Sequence, residues 1–140
     1  MTRILFLHGA PDRLAAAARW VAEAWAECRP VVVYAPHGDA GERLDRILWT
    51  QGATGFVPHC RADSPLAAET PVLIAANLDQ VTQDQCLVNL SDDIPPGFSR
   101  FGEVVEVVSQ DDAVRHPARE RFKFYRERGY APESRDLGGA

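Results

Sequence analysis

Lysine is nearly missing from this chain. Lys123 is the only one, and the other fourteen of the fifteen basic residues are arginines. That lysine stands far from any glycine-rich loop, and no G-x-x-x-x-G-K-[ST] run exists. A phosphate cradle needs both the loop amides and the lysine, so triphosphate chemistry of the P-loop kind is excluded. No G-x-G-x-x-G follows the first apolar segment, and the dinucleotide fingerprint is therefore lacking too. There is no G-x-S-x-G elbow, and Ser64, Ser91 and Ser99 sit in poor contexts for a nucleophile. No apolar run approaches the ~20 residues that a membrane-spanning helix needs, so no membrane partner is expected.

Metal and disulfide frameworks are also missing. Cys28, Cys60 and Cys86 are odd in number and widely spaced, which favours reduced thiols and a cytoplasmic location. His8, His37, His59 and His116 are scattered without an i, i+4 pair. The adjacent His59 and Cys60 would point to opposite faces of an extended chain, which makes them poor joint ligands. His59 reads instead as a hydrogen-bonded residue in a long connection. Neither a metal nor a cofactor is expected.

What is present fits one α/β domain. The chain has 140 residues, 46% of them apolar and 25% charged, with a net charge of −5. A domain of that size buries about two-thirds of its unfolded surface. Residues 3–8 read as a buried strand, their apolar stretch being too short for a signal peptide. Gly9-Ala10-Pro11-Asp12 turns into an amphipathic helix over about 13–28, which Pro30 ends. Val31–Tyr34 is a β-branched strand, and a helix capped by Gly38 or Asp39 runs to Trp49. Further strands fall at 71–75, 86–90 and 103–108, and a helix carries Pro117 at its first position and Gly129 at its C-terminal cap. Residues 51–70 form a long connection, and Pro95-Pro96-Gly97 marks a turn. Strands separated by helices favour a three-layer fold, with a mostly parallel central sheet and helices on both faces. The expected topology is Rossmann-like without a nucleotide fingerprint. Residues 1–130 form the domain, and 131–140 read as a loose tail.

The last helix is basic in an acidic protein. From Arg115 to Arg128 there are six basic and two acidic residues, a balance of +4 that leaves −9 on the rest. At about 100° per residue, Arg115, Arg119, Phe122, Lys123 and Arg126 share one face. A basic stripe around an aromatic suits an acidic group that carries an apolar side chain. The same composition also describes a solvated, arginine-rich helix with its aromatics in the core.

Two motifs separate these readings. Ala118-Arg119-Glu120-Arg121-Phe122-Lys123-Phe124-Tyr125-Arg126, followed by Gly129, resembles the C-terminal motif of the chi subunit family of bacterial DNA polymerase III. Arg43-Leu44-Asp45-Arg46-Ile47-Leu48-Trp49, with Phe56-Val57-Pro58-His59 after it, is similar to a second motif of that family. The likeness covers nearly the whole chain, although Phe122 stands where the family often has tyrosine and residues 62–85 show no match.

The resemblance implies a non-catalytic accessory subunit of the replicative polymerase in DNA replication. Such a subunit bridges the clamp loader, through the psi subunit, to the acidic C-terminal tail of single-stranded DNA-binding protein. It implies tail binding by Arg115, Arg119, Phe122, Lys123, Tyr125 and Arg126. Arg119 and Lys123 would meet the terminal carboxylate and flanking aspartates, while Phe122 walls a pocket for the terminal phenylalanine ring. Single-stranded DNA would be reached only indirectly. Trp49 and Phe56 are implied as the psi interface, but aromatic anchors and core residues share a composition, and periodicity does not separate them.

Two other classes were weighed on the residues. Leu7-His8-Gly9-Ala10 is similar to the turn that helps form the oxyanion hole of α/β-hydrolases, which leaves a small hydrolase or nucleotide-dependent enzyme using His8-Gly9 as the alternative. Asp79, at the end of an apolar run, resembles a magnesium-holding aspartate but lacks a partner loop and reads as a turn residue. Direct nucleic-acid binding by the basic helix is opposed by the −9 charge on the remainder.

Overall fold

The apolar runs form the inner strands, and the alanine- and arginine-rich stretches form the helices. The computed structural model describes residues 2–37, 39–50, 58–79 and 81–137. In sequence they form β1 (Arg3–Ala10), α1 (Arg13–Ala26), β2 (Val31–Tyr34), α2 (Ala40–Thr50), β3 (His59–Arg61), β4 (Val72–Ala75) and β5 (Cys86–Asn89). β6 (Glu103–Ser109), α3 (Asp112–Glu127) and β7 (Glu133–Asp136) complete the chain. The seven strands make one sheet in the order β3-β4-β2-β5-β6-β1-β7, and every neighbouring pair is parallel.

That order fixes which helix covers which face. From β1 to β2 and from β2 to β3 the chain moves toward one edge, whereas β6 to β7 moves toward the other. Crossovers between parallel strands are right-handed, so α1 and α2 must cover one face and α3 the opposite one. The packing agrees. Leu5, Leu7, Val31, Val33, Ile74 and Val105 meet Leu14, Val21, Leu44 and Leu48 in one core. Ile4, Phe6, Val32, Leu87, Val104 and Val108 meet Ala118 and Tyr125 in the other. Alternate residues of one strand thus serve two cores, as a doubly covered sheet requires.

A buried polar cluster interrupts the second core. Glu106 has the parity of Val104 and Val108, points toward α3 and is fully buried. Tyr125 Oη donates to Glu106 Oε2 at 2.8 Å, and Arg121 Nε donates to Oε1 at 3.0 Å. Asn89 Nδ2, on the adjacent strand, lies 3.0 Å from both oxygens. A buried carboxylate is tolerated only with such partners. Burial and the neighbouring carboxylate push the Tyr125 phenol well above its ordinary range, so it remains a donor.

Three expectations change. Pro117 lies inside α3, because Asp111 caps the helix by accepting from Ala113 N at 3.0 Å. The cap begins the helix earlier, at the cost of the bond that residue 117 would donate to residue 113. The long connection contains β3, three residues that pair with β4. Residues 133–136 are a paired strand, not part of a loose tail, and residues 138–140 lie outside the described set. β7 escapes a pattern search because Glu133-Ser134-Arg135-Asp136 is exposed throughout and shows no apolar alternation. Main-chain pairing to β1 and a salt bridge between Arg3 Nη2 and Glu133 Oε2 at 3.0 Å hold it.

Glu106→Ala should lower stability by about 3–5 kcal/mol in urea unfolding, since Arg121 is left as an uncompensated buried charge. A loss below ~1 kcal/mol would remove the network from the account. At the sheet edge, the hydrogen bond and charge of Arg3 hold the Glu133 carboxyl below its usual range. The pair therefore contributes above the ordinary carboxylate pKa and is lost as pH falls through the lowered value. Protection of the amides of residues 133–136, after correction for intrinsic exchange, should fall below about pH 4, ahead of the inner strands.

Candidate functional site

A cavity of about 420 Å³ opens where β1, β6 and β7 end against α3. Carboxyl ends of parallel strands are the usual place for a ligand in such sheets. Its apolar walls are Phe6, Val108, Ala118 and Phe122, and its basic side is Arg115 and Arg119. His8, Gly9, Ser109, Gln110, Ser134 and Asp136 complete the lining.

Local structure shapes each wall. Gly9 has φ of +79°, and the register of β1 against β6 shifts between Leu7 and Ala10. Only glycine adopts that conformation cheaply, and the resulting bulge turns the strand end beside the cavity. Gln110 Nε2 donates to the Gly9 carbonyl at 2.8 Å and ties the bulge to the start of α3. Phe122 is half-buried, its ring edge-on to Phe6 at 5.1 Å between centroids. Beyond the cavity Arg13 donates to the carbonyls of Val107 and Ser91, both at 2.7 Å, and joins α1 to the ends of β6 and β5. Burial first, then the charge of Arg121, lowers the Arg13 pKa.

The expected tail-binding residues divide into three groups. Arg115, Arg119 and Phe122 line the cavity together. Arg119 makes no ion pair among the described residues, whereas Arg115 is 3.5 Å from Asp112. Lys123 and Arg126 are exposed on the same helix but outside the lining, with Lys123 3.8 Å from Glu120. Tyr125 must be withdrawn as a contact residue. It is 0% exposed and bonded to Glu106, so it fixes the helix and cannot touch a ligand on the surface. Its ring falls on the inward side of the wheel, one turn after Arg121.

At the other edge of the sheet Trp49 is 61% exposed, which excludes a core role for it. Phe56 lies outside the described residues. His8 makes no side-chain hydrogen bond among the described residues, and Ser109 Oγ accepts from Asp111 N at 3.3 Å. Asp79 closes a turn, its amide donating to Asn77 Oδ1 at 2.7 Å. No group of three or more metal-ligating side chains occurs among the described residues. No helix there is long and apolar enough to cross a membrane.

Sequence reasoning missed Glu106, Arg121 and Asn89, and the cavity walls supplied by β6 and β7. A signal for the first two was present. A lone carboxylate with inward parity in Val104-Val105-Glu106-Val107-Val108 demands a buried partner, and Arg121 is one turn from Tyr125 on the inward side of α3. Ser134 and Asp136 reach the cavity only through the pairing of β7, which no local pattern carries.

Tyr125→Phe, which removes only the bond to Glu106, should cost about 1.5–3 kcal/mol in equilibrium unfolding. An unchanged unfolding free energy would contradict the anchoring role.

Known proteins match this chain along nearly its full length. A family model described as DNA polymerase III chi subunit, HolC, matches residues 1–133. The DNA polymerase III subunit chi of Pseudomonas aeruginosa is 32% identical over 118 residues, covering 84% of this chain and 82% of that protein. The subunit of the same name from Escherichia coli is 32% identical over 110 residues, 78% of this chain and 75% of its own length. That of Haemophilus influenzae is 26% identical over 118 residues, covering 84% and 82%. With a seven-stranded parallel sheet, a basic terminal helix and agreement from end to end, the chain belongs to the chi subunit family of DNA polymerase III.

Proposed function

We propose that this accessory subunit bridges the clamp loader to protein-coated single-stranded DNA in the cytoplasm and has no catalysis of its own. It binds the acidic C-terminal tail of single-stranded DNA-binding protein at α3 and the psi subunit at the surface around Trp49. The observation that carries this reading is the cavity in which Arg115 and Arg119 stand over an apolar floor of Phe6, Val108 and Phe122. A peptide ending in a phenylalanine carboxylate presents an apolar ring and a charge on the same residue. The ring fits the floor, and the carboxylate meets the guanidiniums as a charge-assisted acceptor. Asp136 lines the same cavity, so the anionic end is directed toward the arginines and away from β7. Lys123 and Arg126, outside the cavity, attract the flanking aspartates at longer range.

Separation of the two proposed surfaces across the sheet supports this reading. β3, beside Trp49, is at one edge, and β7, beside the cavity, is at the other. Six interstrand spacings of ~4.8 Å put the edges roughly 29 Å from each other. Both surfaces can therefore be occupied together, as bridging requires.

Arg119→Glu should weaken tail-peptide binding by at least ~1.4 kcal/mol, a tenfold change measurable by titration calorimetry. The thermal melt should not move, because the side chain is exposed and makes no ion pair among the described residues. Trp49→Ala should do the opposite, losing affinity for psi while keeping the peptide. Unaltered peptide affinity in folded Arg119→Glu would remove α3 from tail binding.

A further inference from the structure

Trp49 is the penultimate residue of α2, with most of its indole in solvent. The inner side of such a ring rests on the residue that lies beneath it. His59, the first residue of β3, lies there with its side chain 0% exposed. Its ring centroid is 5.4 Å from that of the indole, with the planes at 68°. That is the edge-to-face geometry preferred by aromatic pairs. Asp45, one helical turn before Trp49, brings Oδ1 to 3.1 Å of His59 Nε2. Two side chains spaced i, i+4 on α2 thus meet a single imidazole, one with a carboxylate oxygen and the other with its ring.

We propose that His59 is the positioning residue of the Trp49 surface. It holds the indole in one outward orientation before a partner arrives. The inference rests on the reading of Trp49 as a psi anchor and deepens it. Glu42, Asp45, Arg46 and Arg61 surround Trp49, so the partner that fits is an apolar pocket with charges of both signs at its rim. Fixing the indole in advance removes an ordering cost that binding would otherwise meet. Asp45 also fixes His59 to α2, so the helix, the strand and the anchor form one unit.

The test is a double-mutant cycle read as affinity for psi, with His59→Ala made in the native chain and in Trp49→Ala. In the native chain the substitution should weaken psi binding roughly three- to tenfold, the range expected from ordering one large side chain. In the Trp49→Ala background it should cause no further loss, because a residue that acts through Trp49 has nothing left to position. Tail-peptide affinity should stay unchanged in all the variants. An equal loss in both backgrounds, or no loss in the native chain, would overturn the positioning role while leaving the anchor. If Trp49→Ala itself leaves psi affinity unaltered, the anchor reading and this inference fall together. Should His59→Ala melt below the assay temperature, His59→Gln keeps a donor facing Asp45 and removes only the ring. The same loss, confined to the chain that keeps Trp49, is expected of it, and any other pattern overturns the proposal.

Discussion

The carboxylate of Glu106 is the fixed point of the molecule. It sits in the middle of an apolar strand with no exposure, and it is tolerable only because Arg121, Tyr125 and Asn89 reach it. Two of those partners are one turn apart on α3, so both the rotation and the height of the helix are set by a single acceptor. Hydrophobic contacts alone would allow α3 to slide or turn slightly at little cost. A buried charge does not, because losing either partner leaves an unsatisfied group in the core. With Arg121 and Tyr125 turned inward, Arg115, Arg119 and Phe122 are brought to the cavity at the strand ends. The basic face meets the cavity because the opposite face is pinned.

The same logic separates the two surfaces. Right-handed crossovers send α1 and α2 toward β3 and send α3 toward β7, so the two candidate interfaces lie at opposite edges. Each edge is finished by a short strand with little apolar content. β3 has three residues and β7 has four exposed polar ones, a pattern that discourages edge-to-edge association. β7 also brings Ser134 and Asp136 to the cavity, so the same segment closes one edge and helps shape a site.

Much of this was legible in the sequence. The long apolar strands, the amphipathic α1 and the basic face of α3 follow from periodicities of 2 and 3.6, and all are found. Four of the six residues assigned to the basic surface were already paired by spacing with Phe122 at their centre, and three of the six line the cavity. The failures have separate causes. β3 and β7 are strands by virtue of their neighbours, without local propensity or alternation of their own. Tyr125 was assigned to the surface through a family motif, although its position on the wheel puts it inside with Arg121. Pro117 marked a helix start by preference, but Asp111 offered the stronger cap. Composition does not tell an anchor from a core residue at Trp49, and only its place at a helix end before polar Thr50-Gln51-Gly52 pointed to the exposure that is found.

The most direct test of the account is NMR mapping of an acidic peptide ending in phenylalanine on the isotope-labelled chain, alone and bound to psi. Shifts should cluster at Gly9, Ser109, Arg119, Phe122 and Asp136, around the cavity, and persist with psi present. Shifts centred on α2 and β3, or loss of the peptide signal when psi binds, would contradict a bridge with two separate ends.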